Sequence, residues 1–300
     1  MIKEKIADAI RKTAAQMHDV SEKEELFKKH ECGLPDKDEI VFLTEKLRAV
    51  MFPGFFADSF SVRGEYSYGY QLTEICERLR KQLVNAFGFN GGCACAETRA
   101  DETIRMFIEA LPGVQKILLT DVQAAYDGDP AAKSKEEIVF SYPGLHAITI
   151  FRLAHILYEA GVPMIPRIMT EHAHSLTGID INAGAKIGAY FFIDHGTGVV
   201  IGETTEIGDF AKLYQGVTLG ALSTRKGQQL AGVKRHPTLG NRVTVYSGAS
   251  ILGGETVIGD DCVIGGNAFV TDCVAPKTRV SVKSPELTFR ELNKNIWEKA

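Results

Sequence analysis

Five polar residues interrupt an otherwise aliphatic and glycine-rich stretch, and their types could support acid–base chemistry. They are Asp180, Asp194, His195, Arg235 and His236. Asp180 and His195 are fifteen residues apart, three short of a full coil of the repeat described next, so we expect them on adjacent coils near one corner. A carboxylate there could fix the imidazole tautomer and make the other ring nitrogen a better general base. A purely structural His–Asp pair would give the same pattern, and both interpretations stay open.

A repeat of six residues between 181 and 272 would position these side chains. A period of six fits neither a helix nor a hairpin strand, but it is typical of a parallel β-helix, in which three hexapeptides close one triangular coil. The pattern slips by two residues near 199–200 and by one near Thr256, which corner insertions would accommodate. The repeated aliphatic residues, which should point inward, are Ile181, Ile187, Ile193, Ile201, Ile207, Leu213, Leu219, Leu239, Val245, Ile251, Ile258, Ile264 and Val270.

The segment 220–238 interrupts the repeat and is polar, flexible and basic. It contains Arg225, Lys226, Lys234 and Arg235, whose charges suit a ligand that bears phosphate. Long loops on rigid scaffolds often carry function. A solvated surface excursion is the alternative interpretation, and the sequence leaves both open.

Composition limits the class of protein. Three hundred residues with 45% hydrophobic content suffice for two substructures and a sizeable core. A net charge of -4 without a long basic run argues against nucleic-acid binding. No apolar run reaches about 18 residues, and residues 1–11 lack a signal-peptide pattern. We therefore expect no membrane partner and a cytoplasmic protein.

The six cysteines are scattered along the chain, which favours reduced thiols over a disulfide framework. Cys93 and Cys95 could form half of a metal site or a redox pair, but no second pair of metal ligands stands at a usable spacing. Cys262 falls on a small inward position of its hexapeptide, where we expect it to pack in the core. We therefore predict no bound metal ion.

The predicted fold class is α+β, with an all-α domain at 1–176, the β-helix at 177–282 and a short helical tail at 283–300. An apolar stripe at helical spacing starts at Ile2 and should break at 19–21. Pro35 and Asp36 should start the next helix, and Pro112 should end or kink a later one. The helices expected here cover roughly 37–52, 72–87, 98–111, 114–126, 145–160 and 163–175, with a loop at 55–70.

Several motifs resemble the signature series of serine O-acetyltransferases, which are hexapeptide-repeat acyltransferases. The resemblance is ordered and ungapped from 129 to 220 and covers roughly 120–275. The motifs are Asp129-Pro-Ala, Tyr142-Pro-Gly-Leu-His-Ala, Asp180-Ile-Asn-Ala-Gly-Ala-Lys-Ile-Gly, Asp194-His-Gly-Thr-Gly-Val-Val-Ile-Gly-Glu-Thr, Gln215-Gly-Val-Thr-Leu-Gly and Arg235-His-Pro-Thr.

This resemblance implies a left-handed parallel β-helix behind the all-α domain, and subunits that form a homotrimer. Such trimers are often paired into a hexamer, a dimer of trimers, through the N-terminal domains. The implied reaction transfers acetyl from the co-substrate acetyl-CoA to the hydroxyl of L-serine, giving O-acetylserine for cysteine synthesis. L-cysteine is the implied feedback inhibitor at the serine pocket.

The matching positions also imply roles for individual residues. His195 would be the general base, and Asp180 would orient it. No cysteine or serine stands in a nucleophile arrangement, so we expect direct transfer, with a backbone N–H at the turn after Leu219 as oxyanion donor. The implied binding residues are Asp129, Asp194, Arg235 and His236 for serine, and Gly220, Ala221, Ser247 and Gly266 for acetyl-CoA.

The chain departs from the family pattern in four places. The loop after Leu219 is longer than usual, Ala221 stands where a second glycine is common, and the chain before about 110 matches poorly. The chain ends Trp297-Glu-Lys-Ala300 and lacks the terminal isoleucine by which many members dock into O-acetylserine sulfhydrylase. We therefore do not expect a stable complex with that enzyme.

Three other functions use the same scaffold. An acyltransferase for a sugar or amino-sugar would share the catalytic histidine, but it would not explain Asp129, Asp194 and Arg235 together, which suit a zwitterion. A zinc hydrolyase would need histidine ligands at subunit boundaries, and the candidates, His172, His174, His195 and His236, are poorly spaced. A purely structural β-helix would release no thiol from acetyl-CoA with any acceptor.

Overall fold

The computed structural model of the chain describes residues 2–27, 33–56, 65–89, 93–223, 225 and 227–283. Cys32, Lys226, the side chain of Cys93 and the predicted tail beyond Lys283 lie outside the described residues. Helices fill the N-terminal part, and short parallel strands follow from Asp180 onward. The helices are α1 (Ile2–Lys23), α2 (Lys37–Met51), α3 (Glu65–Gly88), α4 (Cys93–Gly128), α5 (Lys135–Ser141), α6 (Pro143–Glu159) and α7 (Ile165–Thr177).

Helix α2 begins where the sequence predicts. The Oδ1 atom of its N-cap, Asp36, accepts hydrogen bonds from the backbone N–H groups of Asp38 at 2.9 Å and Glu39 at 3.2 Å. These bonds satisfy two of the donors that a helix start leaves open. The start of α2 is therefore determined by local chemistry that is legible in the sequence.

Two expected helix ends, at 19–21 and at Pro112, are wrong. Helix α1 continues through 19–21, because Asp19 pairs with Lys23 one turn later at 2.6 Å and the hydroxyl of Ser21 bonds back to the carbonyl of His18 at 2.8 Å. Helix α4 runs for 36 residues with Pro112 inside it. The proline removes one helical hydrogen bond, but its neighbour Leu111 is buried, and packing outweighs local propensity.

Two helix boundaries also differ from expectation. Helix α3 starts at Glu65, inside the segment expected to be a loop. Helix α5 was not expected, although Ser134 caps it by accepting a 3.1 Å hydrogen bond from the N–H of Glu137. Both segments are short or rich in glycine and aromatic residues, so their apolar periodicity is weak in the sequence.

The strands form a β-helix with three parallel sheets, and the predicted left-handed β-helix behind an all-α region is confirmed. Sheet 1 contains β1, β4, β7, β10 and β13; sheet 2 contains β2, β5, β8 and β11; sheet 3 contains β3, β6, β9, β12 and β14. The strands are β1 (Asp180–Ile181), β2 (Lys186–Ile187), β3 (Phe192–Asp194), β4 (Val200–Ile201), β5 (Glu206–Ile207), β6 (Lys212–Tyr214), β7 (Thr218–Gly220), β8 (Thr238–Leu239), β9 (Thr244–Val245), β10 (Ser250–Leu252), β11 (Val257–Ile258), β12 (Val263–Ile264), β13 (Phe269–Val270) and β14 (Arg279–Val280).

The register of sheet 1 shows where the repeat gains residues. Asp180 pairs with Val200 and Val200 with Thr218, so the first coil has twenty residues and the second eighteen. Thr218 pairs with Ser250 and Ser250 with Phe269, so the third coil has thirty-two residues and the fourth nineteen. The predicted slips of two and one are therefore confirmed, and the third coil contains the inserted loop.

The interior of the β-helix is filled with the predicted aliphatic side chains. Twelve of the thirteen are at most 8% exposed, and Ile187 packs partly buried against them, which excludes a chance repeat. Cys262 is fully buried, as predicted. Since no room is left inside, a functional site must lie on the outer corners or faces.

A buried ion pair attaches the helices to the first coil. The guanidinium of Arg152 on α6 donates to both carboxylate oxygens of Asp121 on α4, at 2.7 and 2.9 Å. The same guanidinium donates to the carbonyls of Ile187 at 3.1 Å and Gly188 at 2.7 Å, and Asp121 accepts the N–H of Phe191 at 2.9 Å. The end of α4 is thereby held against the coil that carries Asp194 and His195.

Among the described residues, no helix is both long enough and apolar enough to cross a membrane.

Candidate active site

The turns that lead from sheet 3 to sheet 1, here called the 3–1 corner, carry His195 and its neighbour Asp194. The first of these turns contains the two extra residues of the first coil. His195 adopts a positive φ of 58°, and its side chain is 72% exposed. Its Nε2 atom lies 3.9 Å from Oδ1 of Asp194, the last residue of β3. The insertion therefore turns an imidazole outward from an otherwise regular corner.

The end of α4 brings Asp129 to the same place. Gly128 makes this approach possible, because a side chain there would lie 2.8 Å from the Phe192 ring. Oδ2 of Asp129 accepts a 2.5 Å hydrogen bond from the Tyr142 hydroxyl, and Oδ1 accepts a 2.8 Å bond from the N–H of Ala131. These bonds, helped by the charges of Lys212 and His195, lower the pKa of Asp129 below its ordinary value. Asp129 is therefore a carboxylate within electrostatic range of His195.

Lys212 lies beside Asp194 and the backbone that precedes Asp129, and sequence reasoning missed it. Its Nζ donates a 2.6 Å hydrogen bond to the carbonyl of Gly128 and lies 3.6 Å from Oδ2 of Asp194. It also stands 4.8 Å from the centre of the Phe192 ring and 4.7 Å from that of Tyr214. In the repeat, Lys212 is an outward residue before an inward leucine, a position that signals exposure and nothing more.

Tyr142 is the second functional side chain that the sequence did not single out. Burial and the hydrogen bond to Asp129 raise the pKa of its hydroxyl to about 12, so it remains a donor at neutral pH. The tyrosine occupies the junction between α5 and α6. Its position in a family-like motif was the available signal, but its contact with Asp129 required the fold.

The turns that lead from sheet 1 to sheet 2, here called the 1–2 corner, carry Arg235 and His236. Nη2 of Arg235 forms a short hydrogen bond with Oε2 of Glu203, and Nη1 donates to the carbonyls of Leu230 at 3.2 Å and Val233 at 3.4 Å. The backbone N–H groups of Arg235 and His236 both donate to Oγ1 of Thr204, at 2.9 and 3.0 Å. The end of the inserted loop is therefore held firmly against the coil below it.

The tautomer of His236 follows from its bonds to Thr204. Because Oγ1 of Thr204 already accepts two N–H groups, its own proton points to Nδ1 of His236 at 2.9 Å. Nδ1 also accepts the N–H of Thr204 at 3.1 Å, so the ring proton resides on Nε2. Burial, together with the charge of Arg235, lowers the pKa of His236 to about 4. The imidazole is therefore neutral and can donate from Nε2.

Asp180 lies beside the 3–1 corner, as expected. The N–H of Gly198 donates to the carbonyl of Gly178 at 2.8 Å, so the turn containing His195 stacks on the residues before Asp180. Within the described single chain, however, Asp180 makes no hydrogen bond or ion pair with His195, because the corner insertion aims the imidazole toward Asp194. Instead, ligand-type atoms of Asp180, Glu171 and His174 lie within 4.8 Å of one another.

The four residues predicted for acetyl-CoA divide between the same two corners. Ser247 and Gly266 lie in stacked turns of the 3–1 corner, where a side chain at Gly266 would stand 3.1 Å from the carbonyl of Ser247. Gly220 ends β7 at the 1–2 corner, and its carbonyl accepts a 3.1 Å bond from the N–H of Gly253. The N–H of Ala221 has no partner among the described residues, which leaves it available to an oxyanion.

The histidines considered for zinc are not gathered in one chain. Nε2 of His172 lies 3.1 Å from Glu45 on α2, and Nδ1 of His174 lies 3.4 Å from Glu171 on α7. Among the described residues, Glu171, His174 and Asp180 are the one group of three that could hold a metal ion, and it includes a single candidate histidine.

The predicted site residues thus form two clusters. Asp129, Asp194 and His195 share the 3–1 corner, whereas Arg235 and His236 share the 1–2 corner. A left-handed hexapeptide β-helix with a filled interior and polar corners is the scaffold of hexapeptide-repeat acyltransferases.

Comparison with known proteins narrows this class. The chain is 45% identical over 233 residues to the protein named "Serine acetyltransferase, plasmid" of Synechococcus elongatus. The aligned region covers 73% of each of the two chains. The crystal structure of serine acetyltransferase 1 of Entamoeba histolytica in complex with L-cysteine matches 83% of this chain and 87% of its own, with a TM-score of 0.71 and 36% identity. The crystal structure of the Neisseria gonorrhoeae serine acetyltransferase in complex with serine matches 81% of this chain and 97% of its own, with a TM-score of 0.54 and 25% identity. No family model matches. The chain belongs to the serine acetyltransferase family, and it is an acyltransferase.

Proposed function

We propose that the protein transfers the acetyl group of acetyl-CoA to the hydroxyl of L-serine, giving O-acetylserine for cysteine biosynthesis. The observation that carries this proposal is the convergence of Asp129, Asp194 and His195 on one corner from separate segments of the chain. Two carboxylates beside an exposed imidazole suit a substrate that has both an ammonium group and a hydroxyl. The serine and cysteine complexes of related enzymes support an amino-acid acceptor.

In the proposed reaction, His195 acts as the general base. It takes the proton of the serine hydroxyl while the oxygen attacks the thioester carbonyl carbon, and the carbon–sulfur bond then breaks. The imidazolium returns the proton to the departing CoA thiolate, so the histidine is unchanged after one turnover. A positioned base of this kind contributes roughly 10²- to 10⁴-fold in rate. We propose that Asp180 orients His195, for which the imidazole turns from Asp194 toward Asp180.

The remaining residues bind the substrates. Asp129 and Asp194 hold the serine ammonium, Arg235 holds the carboxylate, and neutral His236 donates a hydrogen bond from Nε2. The N–H of Ala221 stabilises the oxyanion, which is worth roughly 3 kcal/mol for one such donor. The acetyl-CoA chain lies along Gly220, Ala221, Ser247 and Gly266, where small side chains leave room for it.

A complete site of this kind requires two subunits, because its residues occupy two different corners of one chain. We therefore propose a homotrimer in which the 3–1 corner of one subunit faces the 1–2 corner of the next. L-cysteine is proposed to compete for the serine subsite, and no stable complex with O-acetylserine sulfhydrylase is proposed.

Helix α1 provides a surface for pairing trimers into a hexamer. Every side chain from Lys3 to Val20 is exposed, including Ile6, Ile10 and Met17, which follow coiled-coil spacing. Antiparallel pairing of two α1 helices about Thr13 would bring Ile6 of one helix to Val20 of the other. An Ile10→Asp substitution should reduce the solution mass from six chains to three, as measured by light scattering. A mass that is the same in both proteins would contradict this pairing.

The proposed activity is tested by CoA release from acetyl-CoA with L-serine. We expect serine-dependent release that falls by several orders of magnitude in His195→Ala. The matched control is His18→Ala, which removes an exposed histidine on α1. Full activity in His195→Ala would remove His195 as the base, and release with an amino-sugar in place of serine would favour a different acceptor.

A further inference from the structure

A chain of hydrogen bonds leads from the helical region to Arg235. The hydroxyl of Tyr158, near the end of α6, donates to Oε1 of Glu203 at 2.8 Å. The other oxygen of Glu203, Oε2, forms the short bond with Nη2 of Arg235. Both carboxylate oxygens of Glu203 are therefore engaged, one by α6 and the other by the guanidinium.

Close packing keeps Tyr158 and Glu203 in place. Gly184 lies in the 1–2 corner of the first coil, and the tyrosine ring rests on its backbone. A side chain at Gly184 would stand 2.7 Å from Cζ of Tyr158 and 2.9 Å from Cγ of Glu203. Only glycine allows both neighbours to occupy this position, so Tyr158 and Glu203 are held by contact as well as by their hydrogen bond.

The protonation states favour this arrangement. Burial acts to raise the pKa of Glu203, but the hydrogen bonds from Arg235 and Tyr158 outweigh it and lower the pKa below its ordinary value. Burial and the bond to Glu203 raise the pKa of Tyr158 to about 12. At neutral pH the glutamate is therefore an acceptor and the tyrosine a donor, as the chain of bonds requires.

The guanidinium of Arg235 retains capacity for a ligand. Of its five N–H donors, two are directed at the Leu230 and Val233 carbonyls and one at Glu203. Two donors have no partner among the described residues, which is the number that a bidentate contact with a carboxylate needs. The existing bonds thus fix the plane of the guanidinium without occupying all of it.

We propose that Tyr158 and Glu203 are positioning residues that orient Arg235 toward the carboxylate of the amino-acid acceptor. The helical region thereby contributes to substrate specificity at a corner of the β-helix. This inference rests on the proposed function, in which Arg235 binds that carboxylate. Without Tyr158, Glu203 loses one of its two fixed contacts, and the flexible arginine loses the partner that defines its direction.

The test measures steady-state kinetics of Tyr158→Phe and Glu203→Gln with L-serine and with L-serinamide, which lacks the carboxylate. Loss of one hydrogen bond predicts a rise of about 3- to 10-fold in the KM for serine for Tyr158→Phe. We expect no matching change in kcat or in the KM for acetyl-CoA. The KM for serinamide should stay near its wild-type value, so discrimination between the two acceptors falls. Tyr70→Phe, which alters an exposed tyrosine on α3, is the matched control.

Because Tyr158 acts through Glu203, the double variant Tyr158→Phe with Glu203→Ala should be no worse than Glu203→Ala alone, whereas independent roles would give multiplied effects and contradict the proposal. An equal rise in the KM for serine and serinamide would also overturn it, since a general structural defect would affect both acceptors.

Failure of the proposed acetyl transfer to serine would look different, because the wild-type protein would then show no serine-dependent release of CoA. If Arg235→Ala left the KM for serine unchanged while wild type acetylated serine, the carboxylate role of Arg235 and this inference would both be overturned, whereas the proposed acetyl transfer to serine would stand.

Discussion

Tyr142 and Asp129 are joined by a 2.5 Å hydrogen bond, from the phenol of one to Oδ2 of the other. The bond connects the start of α6 to the residue that follows α4. This hydrogen bond lowers the pKa of Asp129 more than the N–H of Ala131 or the charge of Lys212 does. A helix junction thereby keeps a carboxylate ionised beside His195.

Substitution of Tyr142 by phenylalanine should weaken serine binding at low pH. The proposed ammonium contact requires the ionised form of Asp129, which is present above its pKa and lost as pH falls through it. Removal of the bond raises that pKa, so the loss of serine binding on acidification, measured as a dissociation constant, should begin at higher pH than in the wild type. At neutral pH we expect a rise of about 3- to 10-fold in the KM for serine. A serine dissociation constant with the same pH dependence in both proteins would contradict this role for Tyr142.

Mixed trimers should regain activity from two inactive proteins. His195→Ala damages the 3–1 corner, and Arg235→Ala damages the 1–2 corner, so each homotrimer should be nearly inactive. Unfolding and refolding an equal mixture should restore about one quarter of the wild-type sites, because each site needs an intact corner from both neighbours. Activity that stays at the level of the separate variants would place the whole site in one subunit.

The β-helix could be predicted because its determinants are local and repeated. Each repeated aliphatic residue from Ile181 to Val270 indicates by its spacing that its side chain points inward. The strand register confirms the insertion of two residues before Val200. The capped start of α2 after Asp36 is local for the same reason. The candidate site could be predicted only in part, because the roles of Asp129 and Arg235 came from resemblance to a family and were not visible in the repeat.

Contacts between the helices and the coils could not be predicted. Lys212 and Glu203 are outward residues of the repeat, and nothing in their spacing shows that one meets Gly128 and the other Tyr158. The continuation of α4 past Pro112 could not be predicted either, because burial of the helix outweighs the tendency of proline to end a helix. The expected bond between Asp180 and His195 failed as a single-chain contact because adjacency on a corner does not set the direction of a side chain.

The buried pair of Arg152 and Asp121 should be important for stability. Replacing Asp121, which is 1% exposed, by asparagine leaves the charge of Arg152 buried without a partner, and we expect a loss of about 3 to 5 kcal/mol in the free energy of unfolding. A surface pair of similar geometry provides the control. Arg80 donates to both oxygens of Asp101 at 2.5 and 3.2 Å, but it is 40% exposed, so Asp101→Asn should cost far less than Asp121→Asn. Urea unfolding measures the change in the free energy of unfolding for both variants, and equal losses would show that burial does not determine how much an ion pair contributes.

The buried, neutral His236 predicts a pH dependence of stability that can be separated from catalysis. Its pKa falls from the ordinary 6.5 to about 4 on folding, so the unfolded chain takes up the proton first as pH drops. The contribution of His236 to stability is therefore fully present above 6.5 and is lost progressively toward pH 4. His236→Asn keeps an acceptor for Thr204 but cannot titrate, so its urea midpoint should fall less than that of the wild type across this window. His18→Asn, on the exposed face of α1, should retain the wild-type slope. If His236→Asn also retained that slope, His236 would not be the group that destabilises the folded protein in acid.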